Sequence, residues 1–260
     1  MPEELVRVER DGPLAVMTIA NPPLNLFDAP VLDALAATGR RQTAAPPRGL
    51  LIRAEGRVVS GGVDVRSVFD GMTPAGAAAF WESGIASFQA IEDLPCPTVF
   101  AAHGLCLTAA FELALACDII VASDVAKFGL VEIVVGLTPS LGGPQRLAAR
   151  AGPARAKELV FTGELFDAAT LERWNVVNRV LPADGFDAAA RDFAGRLAAG
   201  PTRAHAATKA IVAAQAAGGP RAADREVPEV SGALFETEDL KGAVRSFLAD
   251  GPGRATYSGR

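Results

Sequence analysis

Apolar positions in this chain recur at two spacings, and the switches between them mark its elements. LVRVERDG and LAVMTIANPP alternate apolar and polar residues, which predicts a hairpin with Asp11-Gly12 at its turn. Pro22 and Pro23 end the second strand. A helix follows, with Asp28 as N-cap, Pro30 in its first turn and VLDALAA as its apolar face. RGLLIRAEG predicts a buried strand and VVSGGVD a Gly-rich turn. Thr73-Pro74 opens a long helix in which Phe80, Ile85, Phe88 and Ile91 share one face. PTVFAAHG and CDIIVAS read as strands on either side of a short helix, LTAAFELALA, and KFGLVEIVVG is another apolar segment. LTPSLGGPQRLAARAG reads as a loop, a Pro-led helix and a Gly stop, and KELVFTG and TLERWNVVNRVLP continue the alternation.

After about Pro182 the strand signals cease. DAAARDFAGRLAAG, TRAHAATKAIVAAQ and EDLKGAVRSFLAD all carry helical periodicity. The order predicts an α/β core over residues 1–195 and a helical region over residues 196–260. The apolar run from Pro97 to Ala122 has the length of a membrane span. His103, Gly104, Glu112 and Asp118 interrupt it, so two buried strands around a buried helix fit it better.

Half of the 260 residues are hydrophobic, enough for a sizeable core, and the net charge is -5. No basic block is interleaved with aromatics, which argues against a nucleic-acid surface. The start, MPEELVRVERDG, reads as neither a secretory signal nor a transit peptide, so a cytoplasmic protein is expected. Cys96, Cys106 and Cys117 are odd in number, lie in apolar surroundings and fit no metal spacing. They are expected to be reduced, buried thiols. His103 and His205 stand far apart without clustered acids, which argues against a catalytic metal.

The chemistry centres on Glu112, a carboxylate inside the apolar stretch LTAAFELALACDII. An unpartnered carboxylate there costs several kcal/mol or takes up a proton. Either backbone N–H groups or an arginine hold it, or its position is its use. Ala109, Ala110 and Glu112 lie in or near the first turn of a helix, where N–H groups lack helical partners and negative charge is favoured. Glu132, between Val131 and Ile133, is a second apolar-flanked carboxylate, and the SGGVD turn at Ser60–Asp64 offers further N–H groups. Two such donors on a carbonyl, with two carboxylates beside it, would suit enolate chemistry. Plain structural roles stay open for all of these. Asp64 reads as a turn carboxylate, Asp118 as a cap, His103 as structural and Arg146 as half of an ion pair. Phe69, Phe80, Trp81 and Phe88 read as core or as pocket walls.

Three segments, in order, resemble one family. VVSGGVDV is similar to the F-S-A-G-A-D-L turn of the crotonase (enoyl-CoA hydratase/isomerase) superfamily. HGLCLTAAFELALACDIIVAS, at 103–123, resembles its N-G-x-x-x-G-G-G-x-E-L-x-x-x-C-D segment. KFGLVEIVVGLTPSLGGPQRL, at 127–147, resembles F-x-x-P-E-x-x-x-G-x-x-P-x-x-G-G-x-x-R-L, and TEDLKGAVRSFLA resembles the last helix. The resemblance implies a ββα spiral core with a C-terminal helical region used in trimerisation, and a homotrimer or hexamer. It implies an acyl-CoA thioester substrate, with coenzyme A as part of that substrate and no further cofactor, no nucleic acid and no membrane.

By the same resemblance, the backbone N–H groups of Val63 and Ala109 form an oxyanion hole, and Glu112 and Glu132 are the catalytic pair. Leu26, Gly62, Asp64, Arg66 and Ser140 fall at substrate- or CoA-binding positions, with Arg254 a further candidate. Retention of both glutamates favours hydration of a 2-enoyl-CoA to a 3-hydroxyacyl-CoA, or its reverse. Thr108-Ala109-Ala110 replaces three glycines, Gly61 and Val63 replace two alanines, Val131 replaces a proline and Ser140 a glycine. These departures point to an altered acyl pocket or activity. The alternatives are double-bond isomerisation, dehydration of a specialised acyl-CoA, or acyl-CoA binding without catalysis.

Overall fold

The computed structural model describes residues 4–260. β1 (Val6–Asp11) and β2 (Leu14–Ile19) form the expected hairpin, with Val8 opposite Met17. β3 (Gly49–Ala54), β4 (Thr98–Ala102), β6 (Ile119–Ser123) and β9 (Arg179–Leu181) then add in parallel, giving the order β1-β2-β3-β4-β6-β9. A second sheet, of β5 (Leu105–Leu107), β7 (Lys127–Gly129) and β8 (Phe166–Asp167), lies in the order β5-β7-β8.

The central strands are buried on both faces, as a helix-covered parallel sheet requires. Their period of two divides the apolar residues between two cores. Met17, Ile19, Leu50, Ile52, Phe100 and Ile120 enter the larger one. Leu14, Val16, Leu51, Val99, Ala101 and Val121 meet Phe186, Ala190, Ala194 and Ala198 of α8 (Phe186–Ala198). The division expected at 195/196 falls within this helix.

The helices that position the site follow their local signals. Asp28 caps α1 (Ala29–Ala44) by accepting from the Val31 N–H at 2.9 Å. Thr73 caps α3 (Pro74–Glu92), whose Phe88 and Ile91 are buried while Phe80 and Trp81 are half-buried. α4 (Ala109–Ala116) is wholly buried between β5 and β6.

Some expectations need correction. KELVFTG is no strand. It lies in α6 (Pro153–Thr162), where Ala156, Leu159 and Val160 share the buried side and Gly163 ends the helix with a left-handed cap. KFGLVEIVVG divides into β7 and a 3-10 turn, Glu132–Val135, which Glu132 opens shortly after the strand ends. The short strand β5, the short helix α2 (Val65–Phe69) and α10 (Pro220–Gly232) carried too little apolar periodicity to be foreseen.

α9 (Thr202–Gly218) and α11 (Glu238–Asp250) complete the helical region. Lys209 of α9 donates to Asp118 at 2.9 Å, and that carboxylate also accepts from the Thr98 N–H and hydroxyl. Among the described residues, no helix is long and apolar enough to cross a membrane. The final residues are tied back to α11. Asp239, 4% exposed, accepts from the Ser258 N–H and hydroxyl and from the Gly259 N–H. Asp239→Ala leaves those donors without their acceptor and should lower the unfolding free energy by about 1–3 kcal/mol, read by urea denaturation.

Candidate active site

Two chain segments carrying unused N–H groups are stitched side by side. Ser60 and Cys106 form a parallel bridge, with the Ser60 N–H on Leu105 O at 3.0 Å and the Leu107 N–H on Ser60 O at 3.2 Å. The Ser60 hydroxyl donates to Asn25 O at 2.7 Å and accepts from the Gly62 N–H at 2.9 Å, which folds the turn. Asn25 is fully buried and fixes the facing loop through Glu55 O, Val58 O and the Asn21 N–H. Asn25 was not singled out from the sequence, and Ser60 only as the start of the SGGVD turn, without a role for its hydroxyl; their signals were an Asn two residues after Pro-Pro and a Ser before Gly-Gly.

The chain leaves β5 at Thr108, whose N–H donates to Gly129 O at 2.9 Å, and α4 begins at Ala109. Among the described residues, the N–H groups of Val63 and Ala109 find no protein acceptor. Both follow residues with positive φ, Gly62 at 108° and Thr108 at 46°. Each of these N–H groups therefore points away from the regular bonding of its own segment.

Glu112 lies one turn into α4 and is 2% exposed. Its Oε1 accepts two backbone N–H groups, from Leu141 and Gly143, both at 2.8 Å. A Cβ at Gly143 would stand 2.9 Å from Glu112 Oε1 and Cγ, so this approach requires glycine. Burial drives the Glu112 pKa up to about 7 against the opposing pull of the two N–H groups and of Arg146. Arg146 is held by Glu92 in a two-bond pair, at 3.0 and 2.5 Å, and reaches Leu141 O at 3.4 Å. It is thus a structural partner that braces the loop holding Glu112.

Glu132, 8% exposed, has no comparable support, and its Oε2 is buried without a hydrogen bond. Burial, and then the negative charge of nearby Glu112, push its pKa up to about 8. The structure therefore brings the two apolar-flanked glutamates into one electrostatic unit. They differ in the N–H groups of Leu141 and Gly143 that hold Glu112, and in the Glu112 charge that acts on Glu132.

A cavity of about 500 Å³ is lined by Val65, Phe69, Met72, Trp81, Val135 and Leu137 among others, Val135 being the last residue of the 3-10 turn that Glu132 opens. Phe69 and Trp81 thus face the cavity, whereas Phe88 is core. Leu26 packs over Gly61, its Cδ2 3.3 Å from where a Cβ would stand. Asp64 caps α2, accepting from the N–H groups of Arg66 and Ser67 at 3.2 and 3.3 Å. Arg66 is exposed, and the Ser140 hydroxyl donates to Thr138 O at 2.8 Å. His103 bonds Gly56 O at 3.0 Å through Nε2. The three cysteines are buried and free, with burial raising their thiol pKa values.

The two raised pKa values carry a sign. Each carboxyl holds its proton more tightly folded than unfolded, so stability from these groups is present below about 4.5 and lost as pH rises towards 8. Glu132→Gln should therefore raise the melting temperature by several degrees at pH 9 and change it little at pH 5. Thermal denaturation at the two pH values checks this; an equal change at both would refute it.

A family model described as enoyl-CoA hydratase/isomerase matches residues 9–252. The chain is 34% identical over 186 residues to a probable enoyl-CoA hydratase of Mycobacterium tuberculosis, covering 71% of each protein. It is 33% identical over 210 residues to a carnitinyl-CoA dehydratase of Salmonella heidelberg, covering 80% of each. The solved structure of an enoyl-CoA hydratase subunit from Geobacillus kaustophilus superposes with a TM-score of 0.90 at 27% identity, covering 98% of both chains. The matched family, the relatives above 30% identity and the shared backbone agree: this chain belongs to the enoyl-CoA hydratase/isomerase, or crotonase, family.

Proposed function

We propose that the protein hydrates a trans-2-enoyl-CoA to a 3-hydroxyacyl-CoA, and catalyses the reverse dehydration. The observation that carries this is the unequal pair of buried glutamates beside two free backbone N–H groups. The thioester oxygen accepts from the N–H groups of Val63 and Ala109, which stabilise the enolate charge as it forms. Glu112, anchored through Oε1, keeps Oε2 for the water. It takes one proton as the hydroxyl oxygen bonds to Cβ, and the double-bond electrons move to the thioester oxygen. Glu132, the weaker acid, is protonated near neutrality and delivers its proton to Cα. One water is consumed, and the return of the proton from Glu112 to Glu132 resets the pair.

The acyl chain enters the cavity walled by Phe69, Trp81 and Leu137. Leu26 and Gly62 shape its entrance, and the Ser140 N–H adds a contact to the water. Exposed Arg66, with Arg254, meets the CoA phosphates. Asp64 acts through its cap on α2, which carries Arg66. Coenzyme A is part of the substrate, and the reaction needs no metal or redox cofactor. Val244, Phe247 and Leu248 of α11 are 49%, 59% and 78% exposed, which supports a homotrimer or hexamer that covers them through the C-terminal helices.

Loss of the enoyl-thioester absorbance on mixing with crotonyl-CoA tests the activity. Glu112→Gln and Glu132→Gln should each reduce kcat by about 10²–10⁴-fold. Turnover of a 3-enoyl-CoA, impaired in only one variant, would instead favour isomerisation. The pH profile of kcat/KM should be narrow. It should fall below about 7 as Glu112 gains a proton and above about 8 as Glu132 loses one.

A further inference from the structure

Thr108 carries two costs that the fold does not need. Among the described residues it is one of three non-glycine residues with positive φ, and the other two, Asn25 and Asn175, are asparagines, which tolerate that region. Thr108 is β-branched, at φ 46° and ψ -120°. Its hydroxyl is buried, the residue being 7% exposed, yet Oγ1 finds no hydrogen-bond partner. Although it stands at the N-cap of α4, its side chain makes no capping bond. The fold uses only its backbone, through Gly129 O and the Glu112 N–H.

The hydroxyl packs against Gly62. Oγ1 stands 2.7 Å from where a Cβ on Gly62 would be, so Gly62 must be glycine to admit it. Thr108 immediately precedes Ala109, and Gly62 immediately precedes Val63. The unpartnered O–H therefore lies where the two N–H-bearing segments meet. An enolate oxygen has lone pairs for three donors, and the backbone offers it two.

We propose that the Thr108 hydroxyl is a third hydrogen-bond donor to the thioester oxygen, beside the N–H groups of Val63 and Ala109. The inference rests on the reading that the site takes a CoA thioester. The hydroxyl gains its partner only when ligand arrives, and its bond strengthens as negative charge builds on the oxygen. This accounts for a hydroxyl kept without a partner at a strained position.

The test compares crotonyl-CoA with its thioether analogue, in which a methylene replaces the carbonyl. Affinities are measured by calorimetry and turnover by absorbance, for the wild type and for Thr108→Val, Thr108→Ser and Thr108→Gly. Thr108→Val keeps the shape and removes the donor. It should weaken thioester binding about tenfold and lower kcat by about 10–100-fold, with thioether affinity and melting temperature unchanged. Thr108→Gly relieves the backbone and should lose the same thioester selectivity, whereas Thr108→Ser should stay within about threefold of the wild type. Equal losses for both ligands in Thr108→Val, or none for either, would overturn the proposal. If the wild type binds crotonyl-CoA without hydrating it, the hydratase reading fails while the affinity ratio still decides the role of Thr108. If it binds neither ligand, both fall.

Discussion

Everything in the site hangs on one shared acceptor: Glu112 Oε1, taken by the N–H groups of Leu141 and Gly143. A carboxylate at 2% exposure is costly in its charged form, and two backbone donors are the means by which this fold keeps it near neutrality. The same bonds tie α4 to the loop ahead of α5 (Gly143–Ala151), because Gly143 is the first residue of that helix. The Glu92–Arg146 pair fastens the loop to α3 from the other side. Position and protonation of Glu112 are therefore set by one arrangement.

Glu132 shows what the same chemistry becomes without such support. It is comparably buried, opens only a 3-10 turn and has an oxygen without a partner. Its proton is held more tightly than that of Glu112. Two residues of one type, coupled electrostatically, thus differ in proton affinity: backbone donors and the Arg146 charge favour ionised Glu112, while the Glu112 charge opposes ionisation of Glu132. The free N–H groups across from them arise in a related way. Positive φ at Gly62 and Thr108 turns the following amides out of their ladders, and the Ser60–Cys106 bridge keeps the two segments together.

Much of this fold was legible because local and tertiary demands coincide. The Asp11-Gly12 hairpin, the Asp28 and Thr73 caps and the buried parallel strands each carry their own signal, and each is present. KELVFTG misled because a short apolar run fits a strand or a helix equally. Pro153 and Gly163, which bound α6, decided for the helix. α10 escaped notice because only Ala223 in it is buried, so its sequence had no apolar stripe to show.

At the site, the sequence alone determined that Glu112 and Glu132 sit in apolar flanks, that Gly-rich turns accompany them, and that the order of segments matches one family. Those are properties of neighbours along the chain. It could not determine that Glu112 is held by amides 29 and 31 residues away, that Asn25 and Ser60 build the facing turn, or that the Thr108 hydroxyl rests against Gly62. Hydrogen bonds between distant segments leave almost no trace in local composition, because a backbone N–H is present at every residue but proline. Only the folded arrangement selects which of them meet a carboxylate and which stay free for a ligand.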